Sequence, residues 1–208
     1  MREQTQLEEK LNAITHGIGA VLGVLGLILL ILNDTNKTEW SLFSVIVYGV
    51  SIIILFTAST AYHFVKKTTQ KHYFRILDHI SIYLLIAGTY TPVLLITLAQ
   101  SLGWELLYTV WGIAAFGVIL KLFFTGKFNL FSTLLYLIMG WLIVFDFSKL
   151  SDLMHPNGII LLMVGGAAYT LGIIFYAIEK KMYFHVIWHL FVLVGAICHF
   201  FMILLYVV

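Results

Sequence analysis

Seven long apolar stretches divide this 208-residue chain and constrain its fold more than any other feature. A helix rises about 1.5 Å per residue, so about 20 apolar residues are needed to cross the roughly 30 Å hydrocarbon core of a bilayer. Each stretch is close to that length or longer. The sequence therefore predicts seven transmembrane helices, over Ile14–Leu32, Trp40–Val65, Ile76–Ala99, Trp104–Phe124, Phe128–Phe147, Gly158–Ile178 and Tyr183–Val208.

The composition excludes an ordinary water-soluble domain. Hydrophobic residues make up 61% of the chain and charged residues only 11%, against about a quarter charged in soluble domains. Continuous runs of Leu, Ile, Val and Phe favour helices over the alternating segments of a β-barrel. We therefore predict an all-α, seven-transmembrane helix bundle that forms one membrane domain over residues 1–208. We also expect the first span to be retained rather than cleaved as a secretory signal.

Lysine and arginine fall almost entirely at one end of the predicted spans. Connections rich in these residues stay on the cytoplasmic side of a membrane. The sequence therefore predicts a cytoplasmic N-terminus and an external C-terminus. The formal net charge is only +2, so we expect no nucleic-acid partner. The other end carries only Lys37 and Lys149, whereas the cytoplasmic end carries Arg2, Lys10, Lys66, Lys67, Lys71, Arg75, Lys121, Lys127, Lys180 and Lys181.

Five polar residues fall on three of the spans near this basic end. A polar or ionisable side chain within lipid costs several kcal/mol unless it is paired, so each is a candidate site residue. At about 1.5 Å per residue from the nearest basic residue, all five lie roughly 4 to 12 Å deep. The members that are four residues apart share one helix face. The five are Ser59 and His63 on the second span, Asp78 on the third, and His185 and His189 on the seventh.

This set of side chains suits a metal ion. Three imidazoles with one position left over are typical of catalytic zinc, although histidine and carboxylate ligands without a thiolate also fit iron, manganese or copper. The alternative is that the histidines make hydrogen bonds between helices, that Asp78 pairs with Arg75 or caps its helix, and that Ser59 only packs.

Three further histidines lie close to this set in the sequence. His199 follows His189 by roughly 15 Å along the helix, too far to share its ion. His16 has a compatible depth and could contribute to the site or shield it. His79 points about 100° around the helix from Asp78, so the third span cannot present both side chains in one direction.

Three motifs carry a resemblance to a known family. They are Ser59-Thr60-Ala61-Tyr62-His63, Leu77-Asp78-His79, and His185-Val186-Ile187-Trp188-His189 with His199-Phe200. They resemble the hemolysin III family, the bacterial branch of the progestin and adipoQ receptor superfamily, over essentially the whole chain. The resemblance implies a multi-pass protein of the bacterial plasma membrane. It also implies zinc as cofactor with His63, His185 and His189 as ligands, Asp78 holding the zinc-bound water, and Ser59 as a nearby hydroxyl.

The resemblance also implies a function, through ceramidase-like relatives. The first hypothesis is a zinc-dependent hydrolase of an amide or ester bond in a membrane lipid. Asp78 would accept a proton, and Ser59 would steady the oxyanion or orient the water. The second hypothesis is a non-catalytic lipid sensor or homeostasis regulator with structural zinc. A pore-forming hemolysin that causes cytolysis is suggested only by the family name, because few polar residues lie on the spans outside the basic end. Haem bound between histidines is a remote alternative.

Overall fold

Seven long helices, without any β-strand, make up the part of the chain that the structure describes. The structure is a computed structural model that describes residues 3–178 and 181–208, so Arg2 and Lys180 lie outside the described residues. Every helix is long and apolar enough to cross a membrane. The predicted seven-helix membrane fold is confirmed, whereas the orientation of its termini stays a prediction. The helices are α1 (Gln6–Asn33), α2 (Ser41–Phe64), α3 (Thr68–Thr97), α4 (Gly103–Phe124), α5 (Asn129–Leu153), α6 (Pro156–Ala177) and α7 (Phe184–Tyr206).

The helices pack as a closed ring in chain order. Each contacts the next, and α7 returns to contact α1. Small residues allow α1 and α2 to approach closely: a Cβ added at Gly19 would lie 2.6 Å from the Phe56 ring, and one at Gly23 would lie 2.8 Å from Ile52. Close approach through glycine is common between membrane helices. It places the polar first turns of α1 beside the end of α2.

The beginning of α1 is also fixed to the beginning of α7. Thr5 caps α1 through a capping box with Glu8, in which each residue bonds the other's backbone N–H group. The second carboxylate oxygen of the buried Glu8 accepts a hydrogen bond from the backbone N–H of Tyr183, at 2.7 Å. Tyr183 has a left-handed backbone conformation (φ 62°) immediately before α7. This connection brings the first turns of α1 and α7 together at the basic end of the bundle.

The fifth helix is broken in the middle. The Tyr90 hydroxyl of α3 donates a hydrogen bond to the carbonyl of Gly140 (2.9 Å) and accepts one from the N–H of Ile143 (3.0 Å). Backbone groups within lipid must find partners inside the protein, so Tyr90 stabilises the break. The helix then continues beyond the predicted end at Phe147. Its three parts are an α-helix at Asn129–Trp141, a 3₁₀ turn at Leu142–Asp146 and an α-helix at Phe147–Leu153.

Candidate metal centre

Three imidazoles meet at the basic end of the bundle. The His63 ring of α2 lies 5.3 Å from that of His185 and 4.9 Å from that of His189, and the two rings of α7 are 4.8 Å apart. One nitrogen of each ring lies within 4.8 Å of the others. Zinc–nitrogen bonds are about 2.0–2.1 Å long, so small side-chain rotations would bring all three within reach of one ion. The three histidines could therefore hold a metal ion.

Two nitrogens of this cluster fit the role of metal ligands. His63 Nε2 and His189 Nδ1 are buried and have no hydrogen-bond partner among the described residues. A buried polar atom without a partner costs about 1–3 kcal/mol. A metal ion would remove this cost at both nitrogens, so the donor set fits a metal.

A carboxylate from α1 supports the His63 ring. Its Nδ1 lies 2.7 Å from Oε2 of Glu9, and Lys71 of α3 donates a hydrogen bond to Oε1 of Glu9 at 2.6 Å. A carboxylate beside a lysine ammonium accepts hydrogen bonds, so Nδ1 of His63 is the donor to Glu9, and in the neutral ring Nε2 keeps its lone pair. Histidines that bind metals usually donate their second N–H to such a partner. Glu9 therefore connects α1, α2 and α3 behind the candidate metal ligand.

A fourth imidazole lies against the cluster without joining it. The ring of His16 stacks on that of His189, with centroids 3.7 Å apart and planes 14° apart, and meets Phe56 edge-on at 4.9 Å. Both nitrogens of His16 are buried and unpartnered within the described part of the chain. The nitrogens of His16 are not among those that could share an ion. The contact of His16 with the cluster is instead the stacking that orients the His189 ring.

The cluster borders a cavity of about 1080 Å³ inside the bundle. Ser59 and Asp78 line this cavity together with His185 and His189. The Ser59 hydroxyl is buried with no partner in the described regions, and the Asp78 side chain is half-buried. His79 also lines the cavity, so both neighbours on α3 reach it. The His79 ring is buried and donates a hydrogen bond from Nδ1 to the carbonyl of Arg75 at 2.7 Å.

Comparison with known proteins gives the family. The family model described as Haemolysin-III related matches residues 4–200. The chain belongs to this family. It is 47% identical to Hemolysin-3 of Bacillus cereus over 210 positions, which cover 100% of this chain and 96% of that protein. It is 43% identical to a Hemolysin-3 homolog of Bacillus subtilis, over 97% of this chain and 95% of that protein.

A more distant relative lies outside the bacteria. The human monocyte to macrophage differentiation factor is 30% identical to this haemolysin III-related protein, over 96% of this chain and 84% of the human protein. Together, the seven spans and the two Bacillus relatives indicate a multi-pass membrane protein of the bacterial plasma membrane.

The structure brings together three of the five residues expected from the sequence, the histidines. The three histidines form the cluster, and Ser59 and Asp78 lie in the adjoining cavity wall; their roles stay predictions. Sequence reasoning missed Glu9. The available signal was the spacing from Glu9 to His16, which is close to two helical turns on one face of α1.

We expect the substitution Glu9→Gln to weaken metal binding by about 10- to 100-fold, the usual effect of removing a partner behind a metal-binding histidine. The amide keeps the shape of the side chain but loses the charge that holds the proton on His63 Nδ1. Competition with a chromophoric chelator measures the affinity. Glu105→Gln, at an exposed position of α4, is the matched control. Equal affinities of the Glu9→Gln variant and the wild type would contradict the assigned role of Glu9.

Proposed function

We propose that this protein is a zinc-dependent hydrolase that cleaves an amide or ester bond of a membrane lipid. The observation that carries the proposal is the position of the three-histidine cluster at the end of a large, mainly apolar cavity within the transmembrane bundle. Ligand sites in helix bundles are built from such inward-facing side chains. An apolar cavity of this size suits an acyl chain, and the polar end suits the bond to be cleaved.

The residues around the cluster have distinct proposed roles. His63, His185 and His189 would hold zinc, which supplies Lewis acidity that polarises a carbonyl and activates water near neutral pH. Asp78 accepts the proton as water attacks the carbonyl carbon. Ser59 donates a hydrogen bond to the oxygen on which negative charge develops. Its hydroxyl, which has no partner among the residues that the structure describes, is available for this role.

The wall of the cavity between α5 and α6 offers a route for a lipid. Trp141 and Val144 of α5 and Met163 of α6 line the cavity, and 49%, 57% and 49% of their surfaces are exposed. A lipid could therefore reach the cavity between these two helices. Lys71 and Arg75 line the cavity at its metal-centre end, where they would attract an anionic headgroup.

Fatty-acid release from a lipid panel tests the proposed hydrolase. The panel contains a ceramide and ester-linked phospholipids, and the purified protein is compared before and after zinc is removed with a chelator and restored. We expect release that disappears with the metal and returns with it. A protein that holds zinc but releases no fatty acid, while a ceramidase control does, would contradict the proposal. Conductance in a clean bilayer would instead support the pore-forming alternative.

A further inference from the structure

A second group of polar atoms lies in the cavity far from the metal centre. The Tyr169 side chain of α6 and the His199 side chain of α7 line the cavity, with their rings 5.5 Å apart. The Tyr169 hydroxyl and His199 Nδ1 are buried and have no partner in the residues described. His199 follows His189 by ten residues on α7, which corresponds to roughly 15 Å. The distance from these atoms to the metal centre is therefore about the length of a long segment of an acyl chain.

Neighbouring groups fix both side chains. Nε2 of His199 donates a hydrogen bond to the carbonyl of Leu162 at 3.3 Å, so the neutral ring keeps its lone pair on Nδ1. Gly165 lacks the Cβ that would collide with the His199 ring, and a Cβ at Gly195 would lie 2.7 Å from the Tyr169 ring. The two glycines thus allow an acceptor nitrogen and a phenolic hydroxyl to lie side by side in the cavity wall.

The chemistry of this pair selects a neutral ligand group. His199 Nδ1 needs a donor, whereas the Tyr169 hydroxyl can donate or accept. The charged side chains known to line the cavity lie at the metal-centre end, among them Glu9, Lys71 and Asp78. A carboxylate or ammonium group beside Tyr169 and His199 would remain unpaired within the membrane, which is costly. A hydroxyl group fits, because it can donate to His199 and accept from Tyr169.

We propose that Tyr169 and His199 form a subsite for a hydroxyl group on the chain of an amphiphile whose polar head reaches the metal centre. The direction of this ligand rests on the proposed hydrolase function, whereas the subsite itself rests on two buried atoms that have no partner in the described part of the chain. It would favour hydroxylated acyl chains over plain ones.

Oleate and ricinoleate provide the test, because ricinoleate is oleate with one mid-chain hydroxyl. Binding of both acids to the zinc-loaded full chain in nanodiscs is measured by calorimetry. We expect the wild type to bind ricinoleate about 5- to 10-fold more tightly, the effect of one or two net hydrogen bonds. Tyr169→Phe removes only the hydroxyl and should lower this ratio without changing the affinity for oleate. His199→Leu should lower the ratio in the same way.

The control and the contrary outcomes separate this inference from the proposed hydrolase. Tyr108→Phe removes a hydroxyl from an exposed side chain of α4 and should keep the preference of the wild type. Equal affinities of the wild type for oleate and ricinoleate, or an unchanged preference in the Tyr169→Phe variant, would overturn the hydroxyl subsite. Either result together with zinc-dependent fatty-acid release would leave the hydrolase standing.

Discussion

The purified protein should contain about one zinc ion per chain, and the variants His63→Ala and His189→Ala should lose it. Each substitution removes one of three imidazoles and leaves two protein ligands, fewer than zinc sites use. The loss of affinity should exceed the roughly 100-fold effect of a partner behind a ligand. Elemental analysis after purification in chelator-free buffer measures the metal content, and circular dichroism shows whether each variant keeps its helices.

The control for this experiment is another histidine at the same end of the bundle. His72 is exposed on the first turns of α3, and His72→Ala should keep the zinc content of the wild type. A folded His63→Ala variant that still holds one zinc ion would contradict the assigned ligand set. Iron or manganese in place of zinc would keep the three-histidine centre and correct only the identity of the metal.

The membrane fold could be predicted because one physical quantity, the hydrophobicity of long segments, decides it. The ends of the helices could be predicted less well from the sequence. The first span was predicted to begin at Ile14, where the apolar stretch begins. The helix α1 instead begins at Gln6, because Thr5 and Glu8 cap it outside the apolar stretch. Likewise, the break in α5 depends on Tyr90, a residue of another helix. Local hydrophobicity carries no information about such a contact.

The candidate site divides in the same way. The four-residue spacing of His185 and His189 and the similar depth of His63 are properties of single helices, so the sequence could indicate a cluster. The support of His63 by Glu9 crosses from α2 to α1, and the stacking of His16 on His189 joins α1 to α7. Both contacts depend on how α1 packs in the ring of helices, which spacing along one helix does not specify.

The substitution Asp78→Asn should lower lipid hydrolysis by about 100- to 10,000-fold, the usual contribution of a general base, and leave the zinc content unchanged. An amide cannot accept the proton of the attacking water, but Asp78 is outside the set of atoms that could share the ion. Ser59→Ala should lower turnover by up to about 1,000-fold, the effect of removing one donor to an oxyanion. Initial rates of fatty-acid release and zinc content are measured on the same preparations.

Asp152→Asn makes the same chemical change at an exposed position of α5 and should retain the rate of the wild type.

A comparison of the two single variants Asp78→Asn and His189→Ala distinguishes a hydrolase from a sensor with structural zinc. A hydrolase loses its function in both variants, because one removes the proton acceptor and the other the metal. A sensor needs only the metal that joins α2 to α7, so it keeps its function in Asp78→Asn and loses it in His189→Ala. If the Asp78→Asn variant hydrolyses lipid at the wild-type rate, Asp78 is not the proton acceptor in the reaction.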